Sequence, residues 1–249
     1  MIPTLSIGPA AIPTYPFLLL IASWAGLWLA AREARQLGLD GDHVYNAGLY
    51  GLIAGIIGAR LWFVLSHWEN YASDITQAFS LSRSALAPAE GLIVAALVVL
   101  VYLQRNKVSL GTFFDAAAPG LALSIVIANI GAFLGGENLG ATSSLPWAVE
   151  IAEVARHPVQ LYNALASFVI LVGLLFVRHI PWPGFRFWLF VILYGVSRLI
   201  LEIFVARPEI IADGYLSTQI YSLLAIVVAL AVMAYNFSKD KTDRNPDTV

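Results

Sequence analysis

The chain has no cysteine and only four histidines in 249 residues. Disulfides, thiolate-held metals and a cysteine nucleophile are therefore excluded. The histidines are scattered without an HExxH-like pair, so no zinc or di-iron centre is expected, nor any other cofactor. Charge is also scarce. Asp, Glu, Lys and Arg make up 12% of the residues, whereas a soluble domain carries about a quarter. Hydrophobic residues reach 59% and the mean hydropathy is +0.77. A single aqueous core cannot hide that much apolar surface, and the simplest solvent for it is lipid. The net charge of -2 says little here, because the placement of charge matters more than its sum. No nucleic-acid partner is expected. Residues 1–14 contain no Lys or Arg, and the apolar run after them ends in charge without a small-residue cleavage site. The start therefore reads as a first membrane span and not as a cleaved signal peptide.

What the chain does contain is apolar runs. Seven segments, at about 15–31, 45–65, 87–103, 113–134, 161–177, 187–204 and 218–235, each approach the ~20 residues that a helix needs to cross hydrocarbon. Backbone groups in lipid must bond internally, so the expected class is all-α, a polytopic membrane protein of about seven transmembrane helices. The third segment is the weakest, with Pro88 and Glu90 at its start, and the fourth has apolar sequence back to Leu110. Placing the N-terminus outside leaves Arg32, Arg35, Arg105, Lys107, Arg178, Arg186, Lys239, Lys241 and Arg244 inside, against Arg83, Arg156 and Arg207 outside. This asymmetry sets the expected orientation, with the C-terminus in the cytoplasm. Residues 1–235 read as one transmembrane domain, and 236–249 as a polar, disordered cytoplasmic tail. The long connections, 66–86 and 135–160, fall outside, and Trp68, Tyr71, Trp147 and Tyr215 suit the headgroup interface. The working face is expected to point outward.

Charge at the bilayer centre costs at least ~2.5–3.5 kcal/mol per residue, so each such group needs a reason. Arg60, Asp115, Arg198 and Glu202 lie within the expected spans, and Glu90 and Glu137 lie near span ends. Tyr194, Arg198 and Glu202 are spaced i, i+4 and share one helical face. An arginine there can grip a phosphate through two parallel bonds, with the glutamate holding its guanidinium in place. The alternative is an Arg–Glu pair that joins helices. Arg60 either snorkels to lipid phosphates or binds a particular one, and Gly48, Gly51, Gly55 and Gly58 before it form a face for close helix contact. The glycine-rich stretch 131–140 either turns sharply or lets backbone approach a ligand. Glu137 within it is a candidate acid, base or headgroup ligand. Asp115 has a structural alternative as a helix cap. In His157-Pro158-Val159-Gln160-Leu161-Tyr162, Pro158 suits a helix start, and Tyr162 has the alternative of an interfacial anchor.

Taken in order, these pieces resemble the bacterial phosphatidylglycerol–prolipoprotein diacylglyceryl transferases, from about Ser6 to Val232. Ser6-Ile7-Gly8-Pro9 and Tyr15 resemble the family's start, and Gly58-Ala59-Arg60 its GGR stretch. Asp115 with Pro119 resembles D-x-x-x-P, and the His157–Tyr162 motif resembles HPSQLYE. Tyr194-Gly195 with Arg198 and Glu202 resembles YG-x-x-R-x-x-x-E, and Gln219 with Ser222 the QxxS of the last span. The signature G-R-x-G-N-F-x-N-G-E-x-x-G is only partly kept. Asn129, Ala132 and Gly135 stand where it has Arg, Asn and Asn, while Glu137 and Gly140 match. Ala89-Glu90-Gly91 stands where the third span would open with His-Gly-Gly. The second arginine of the sixth span falls near Val205, with Arg207 two residues on.

The resemblance implies a multi-pass enzyme of the bacterial plasma membrane that needs no cofactor. Its partners would be phosphatidylglycerol and the signal segment of a prolipoprotein. The diacylglyceryl group would pass to the lipobox cysteine thiol as glycerol 1-phosphate leaves. Glu137, Arg198 and Glu202 would be catalytic. Tyr15, Arg60, Asp115, Gly140, His157, Tyr162 and Tyr194 would bind substrate, and Arg60, Glu137, Arg198 and Glu202 would converge on one cavity. The departures keep a second reading open, a member without catalysis that binds anionic lipid or lipoprotein signal segments. A small-solute transporter is the third reading, but no inverted repeat is evident and the long outer loops fit it poorly.

Overall fold

The fold is taken from a computed structural model, which describes residues 2–7, 10–71, 87–151, 153–177, 179–206, 210–212 and 215–244. Expectations at Gly8, Pro9, Arg83, Arg178 and Arg207, and for most of the first long connection, lie outside these residues.

The chain opens with a hairpin, β1 (Thr4–Ile7) and β2 (Ala10–Pro13), and then runs as long helices: α1 (Thr14–Gln36), α2 (Asp42–Ser66), the single turn α3 (Trp68–Tyr71), α4 (Pro88–Arg105) and α5 (Leu110–Gly135). A second hairpin, β3 (Val149–Ile151) and β4 (Val154–Arg156), precedes α6 (Val159–Phe176) and α7 (Phe185–Leu201). A 3₁₀ turn over Glu202–Phe204 and a third short pairing, β5 (Ile210–Ala212) with β6 (Tyr215–Leu216), lead into α8 (Ser217–Arg244). Successive long helices alternate in direction, so the three hairpins gather at one end of the bundle, called here the hairpin end.

Six of the described helices are long and apolar enough to cross a membrane: α1, α2, α5, α6, α7 with its 3₁₀ turn, and α8. The expected third segment is a helix as well, α4, but it is not among those six. Pro88, Glu90 and Arg105 fall inside it, and its uninterrupted apolar stretch, 91–103, spans about 20 Å at 1.5 Å per residue. Leu20, Trp24, Leu65, Leu92 and Phe176 are exposed on the outer surface, as expected where lipid and not water is the solvent. The fourth helix starts at Leu110, where Ser109 accepts a hydrogen bond from Thr112 N–H at 3.4 Å. The last helix corrects the expectation of a disordered tail. It continues from its span through Arg244, because residues 236–244 contain no proline and the first Pro is Pro246.

Lipid supplies no hydrophobic drive for one helix to seek another, so close backbone packing carries more of the association. A Cβ on Gly120 of α5 would lie 2.4 Å from the Gly26 carbonyl oxygen of α1. The pair α2–α4 repeats the device, since a Cβ on Gly91 would lie 2.6 Å from the Gly55 carbonyl oxygen. The small-residue face expected on the second span is therefore a packing face. Ser124 Oγ also donates across the α1–α5 contact to Ala22 O at 2.9 Å.

Far from the hairpin end, two buried carboxylates fasten α7. Asp115 Oδ2 accepts from Gly184 N–H at 2.6 Å and Oδ1 from Phe187 N–H at 3.0 Å. The first turn of a helix leaves its N–H groups without intrahelical partners and favours negative charge nearby. Asp115 thus caps α7 and not its own helix, at the end of the bundle opposite the hairpins. Glu33 of α1 accepts from Arg186 Nη1 at 2.9 Å, and both side chains are buried. Arg186 Nη2 donates to Val177 O at 2.9 Å. Asp115→Ala is expected to cost about 1–3 kcal/mol by leaving two buried donors unmet. Asp115→Asn should recover part of that, because its amide oxygen still accepts. Thermal unfolding in detergent measures both, and wild-type stability for the alanine variant would rule out the capping role.

Candidate functional site

A cavity of about 580 Å³ lies at the hairpin end, between the C-terminal ends of α5 and α7 and the start of α6. That volume is in the range of small-molecule and headgroup sites. One wall is built on α7. Arg198 Nη2 donates to Glu202 Oε2 at 2.7 Å, one turn on, and Nη1 donates to Asn163 Oδ1 of α6 at 3.3 Å. Asn163 is oriented in turn by donating from Nδ2 to Val159 O at 2.9 Å. Glu202 is buried, while the Arg198 side chain keeps 26% of its surface exposed. A guanidinium held on two sides, with its remaining surface on a cavity, is arranged in advance to receive an anion.

The rest of the lining comes from β4, the start of α6 and the end of α5. Arg156 Nη1 donates to Gly140 O at 3.2 Å, and its Nε is buried without a hydrogen-bond partner. Gln160 donates from Nε2 to Glu137 O at 2.6 Å, which leaves its buried Oε1 without a partner. Asn129 and Asn138 complete the polar lining. Among the described residues the lining holds two cations, Arg156 and Arg198, against one anion, Glu202, a formal balance of +1.

The cavity is roofed by backbone. Ala141 N–H donates to Phe204 O at 2.7 Å, and Ala206 N–H donates to Leu139 O at 3.1 Å. On the other side His157 N–H donates to Ala141 O at 2.9 Å, and Ser143 N–H donates to Ala155 O at 3.0 Å. Residues 139–143 are thereby stitched between the turn after α7 and the strand before α6. Gly140 is where the stitching is tightest, since a Cβ there would lie 2.0 Å from the His157 carbonyl oxygen.

Arg198 and Glu202, expected on one face, line the cavity together. Gly140 is in the roof. His157 and Tyr162 pack with Phe204 at ring-centroid distances of 4.9 and 5.8 Å, and Trp147 Nε1 donates to the Tyr162 hydroxyl at 2.8 Å. Tyr194 stacks on Phe190 within the α5–α6–α7 core, one turn from Arg198. Tyr15 packs against Gly131 and Gly135 of α5.

The expected convergence of four charges on one cavity is not what the structure has. Arg60 is buried on α2, which packs against α4 and α1, and its guanidinium lies over the Tyr71 ring at 5.4 Å. It neither lines this cavity nor snorkels freely to lipid. Glu137 follows the left-handed Gly136 (φ 77°) that ends α5, so its side chain turns outward and is exposed, while its carbonyl stays with Gln160. Asp115 sits at the other end, as the cap of α7. The amide-rich part of the lining, Asn129, Asn138, Gln160 and Asn163, and Arg156 were not among the expected site residues. One signal was present: Gln160 and Asn163 are spaced i, i+3 on an otherwise apolar helix.

A family model described as prolipoprotein diacylglyceryl transferase matches residues 3–235. Proteins named phosphatidylglycerol–prolipoprotein diacylglyceryl transferase are similar along most of their length. The one from Clostridioides difficile is 27% identical, covering 92% of this chain and 92% of its own. The Enterococcus faecalis protein is 29% identical, over 89% of this chain and 86% of its own. The one from Thermus thermophilus is 28% identical, over 91% and 95%.

Proposed function

The chain belongs to the prolipoprotein diacylglyceryl transferase family, and on that premise we propose that it moves the diacylglyceryl group of phosphatidylglycerol onto the lipobox cysteine thiol of prolipoproteins. The observation that carries the reading is Arg198, fixed by Glu202 and Asn163 on the wall of a polar cavity among apolar helices.

The reaction asks for three things. The thiol must lose its proton, because the thiolate is the nucleophile. A sulfur–carbon bond forms at the glyceryl carbon as the carbon–oxygen bond to phosphate breaks, and the electron pair leaves on the phosphate oxygen. The thiol proton ends on the released glycerol phosphate or in water, which balances the equation. Charge therefore builds on the phosphate, and preorganised donors lower the barrier most when they face that developing charge. Arg198 is such a donor. Glu202 is a positioning residue that holds the guanidinium plane, and the lining amides suit the hydroxyls of a glycerol headgroup.

A second reading, a member that binds anionic lipid or a lipoprotein signal segment without catalysis, is favoured by one observation. Glu202, the only carboxylate among the described lining residues, is engaged by Arg198. Complementation of a bacterial strain depleted of its own diacylglyceryl transferase separates the two. Growth supports the enzyme, and failure despite normal membrane expression supports the binding protein.

The Lys/Arg asymmetry supports a plasma-membrane orientation with the hairpin end, and so the cavity, facing outward. Reporter fusions after Arg105 and after Asp240 are both expected to read cytoplasmic. An extracytoplasmic signal at either position would overturn this orientation.

A further inference from the structure

We propose that Arg156 is a second phosphate ligand, which with Arg198 forms a two-arginine cradle in the cavity. This rests on the reading that the cavity receives the lipid donor's phosphate. Arg156 lies on β4, outside the helices, and lines the same cavity as Arg198. Its one hydrogen bond among the described residues goes from Nη1 to Gly140 O at 3.2 Å. Nε is buried and unpartnered. A guanidinium in the lining of a polar cavity that makes one side-chain hydrogen bond has donors left over for an anion there.

The charge count points the same way. Among the described residues, two arginines against Glu202 leave the lining at +1, which one phosphodiester monoanion neutralises. Once the carbon–oxygen bond breaks, the leaving group carries more negative charge, and two cations stabilise that change better than one. The two arginines are anchored independently, Arg198 through the side chains of Glu202 and Asn163, and Arg156 through the roof carbonyl of Gly140.

The alternative is that Arg156 only clips the roof. That role affects folding but not the choice between a lipid with phosphate and one without. The test uses the full chain in detergent and compares binding of phosphatidylglycerol with binding of diacylglycerol of the same acyl chains. The wild type is expected to prefer phosphatidylglycerol. Arg156→Gln should reduce the preference about tenfold or more, the size of one charge-assisted hydrogen bond. A folded Arg156→Gln protein with the wild-type preference would overturn the cradle. Arg198→Gln serves where Arg156→Gln does not fold. It should lower the preference yet leave a measurable remainder supplied by Arg156, and its complete abolition would assign the phosphate to Arg198 alone. Transfer to a lipobox peptide is measured alongside. A wild type that prefers phosphatidylglycerol but transfers nothing removes the transferase reading and leaves the cradle standing. A wild type that transfers, with an Arg156→Gln protein unchanged in preference, does the reverse.

Discussion

Arg198→Lys is expected to lose most lipid transfer per folded molecule, on the order of 30- to 100-fold, although it keeps the positive charge. The guanidinium reaches Glu202 at 2.7 Å and Asn163 at 3.3 Å through different nitrogens and still presents surface to the cavity. An ammonium is a compact point charge and cannot hold two fixed partners in one plane while also gripping a phosphate. Glu202→Gln should do less harm, since an amide oxygen still accepts from Arg198. If the pair were only a joint between helices, both variants would mainly lower the yield of folded protein. The measurement is transfer to a lipobox peptide normalised to folded protein in detergent. Near-normal normalised transfer by Arg198→Lys would remove Arg198 from the phosphate role.

Gly140→Ala is expected to be comparably severe while adding a single carbon. That carbon would lie 2.0 Å from the His157 carbonyl oxygen and 2.9 Å from its carbonyl carbon. Both neighbours are backbone, so no rotamer change relieves the clash, and the roof must separate from the strand before α6. Gly140 O is also the acceptor for Arg156, so the shift misplaces a cavity side chain as well. Transfer should fall by at least about tenfold, in line with the cost of misplacing groups around a reacting centre, and the seven long helices should still form. Circular dichroism for helix content and the transfer assay together decide it. A helical, fully active Gly140→Ala protein would show that the roof geometry is not needed.

Most of the fold was legible because lipid imposes one strong rule, that spanning backbone must be helical. The seven apolar runs became helices, with the fourth starting at Leu110, and the glycine face on α2 became a packing face. The site was only partly legible. Arg198 and Glu202 could be read because i, i+4 spacing fixes their relation within one helix. Glu137 could not, because the left-handed Gly136 turns the chain just before it. Arg60 could not, because periodicity does not say which helices a span borders. Asp115 and Arg186 mark a further limit. The resemblance gave Asp115 a binding role, with a cap of its own helix as the alternative, and position gave Arg186 a place among the cytoplasmic charges. Each is instead satisfied by a partner brought close only by tertiary packing.

The pairing of Glu33 with Arg186 has a consequence for biogenesis. The two are 153 residues apart, so a ribosome delivers the carboxylate long before its counter-ion exists. The close backbone contact of α1 likewise waits for Gly120 of α5, whereas α2 and α4 are neighbours in order of synthesis. The nascent chain therefore sets down its first helix with α2 against it, completes the α2–α4 pair, and encloses Glu33 only when α7 arrives. Any chain that stops after α6 lacks the guanidinium that Glu33 pairs with in the finished fold.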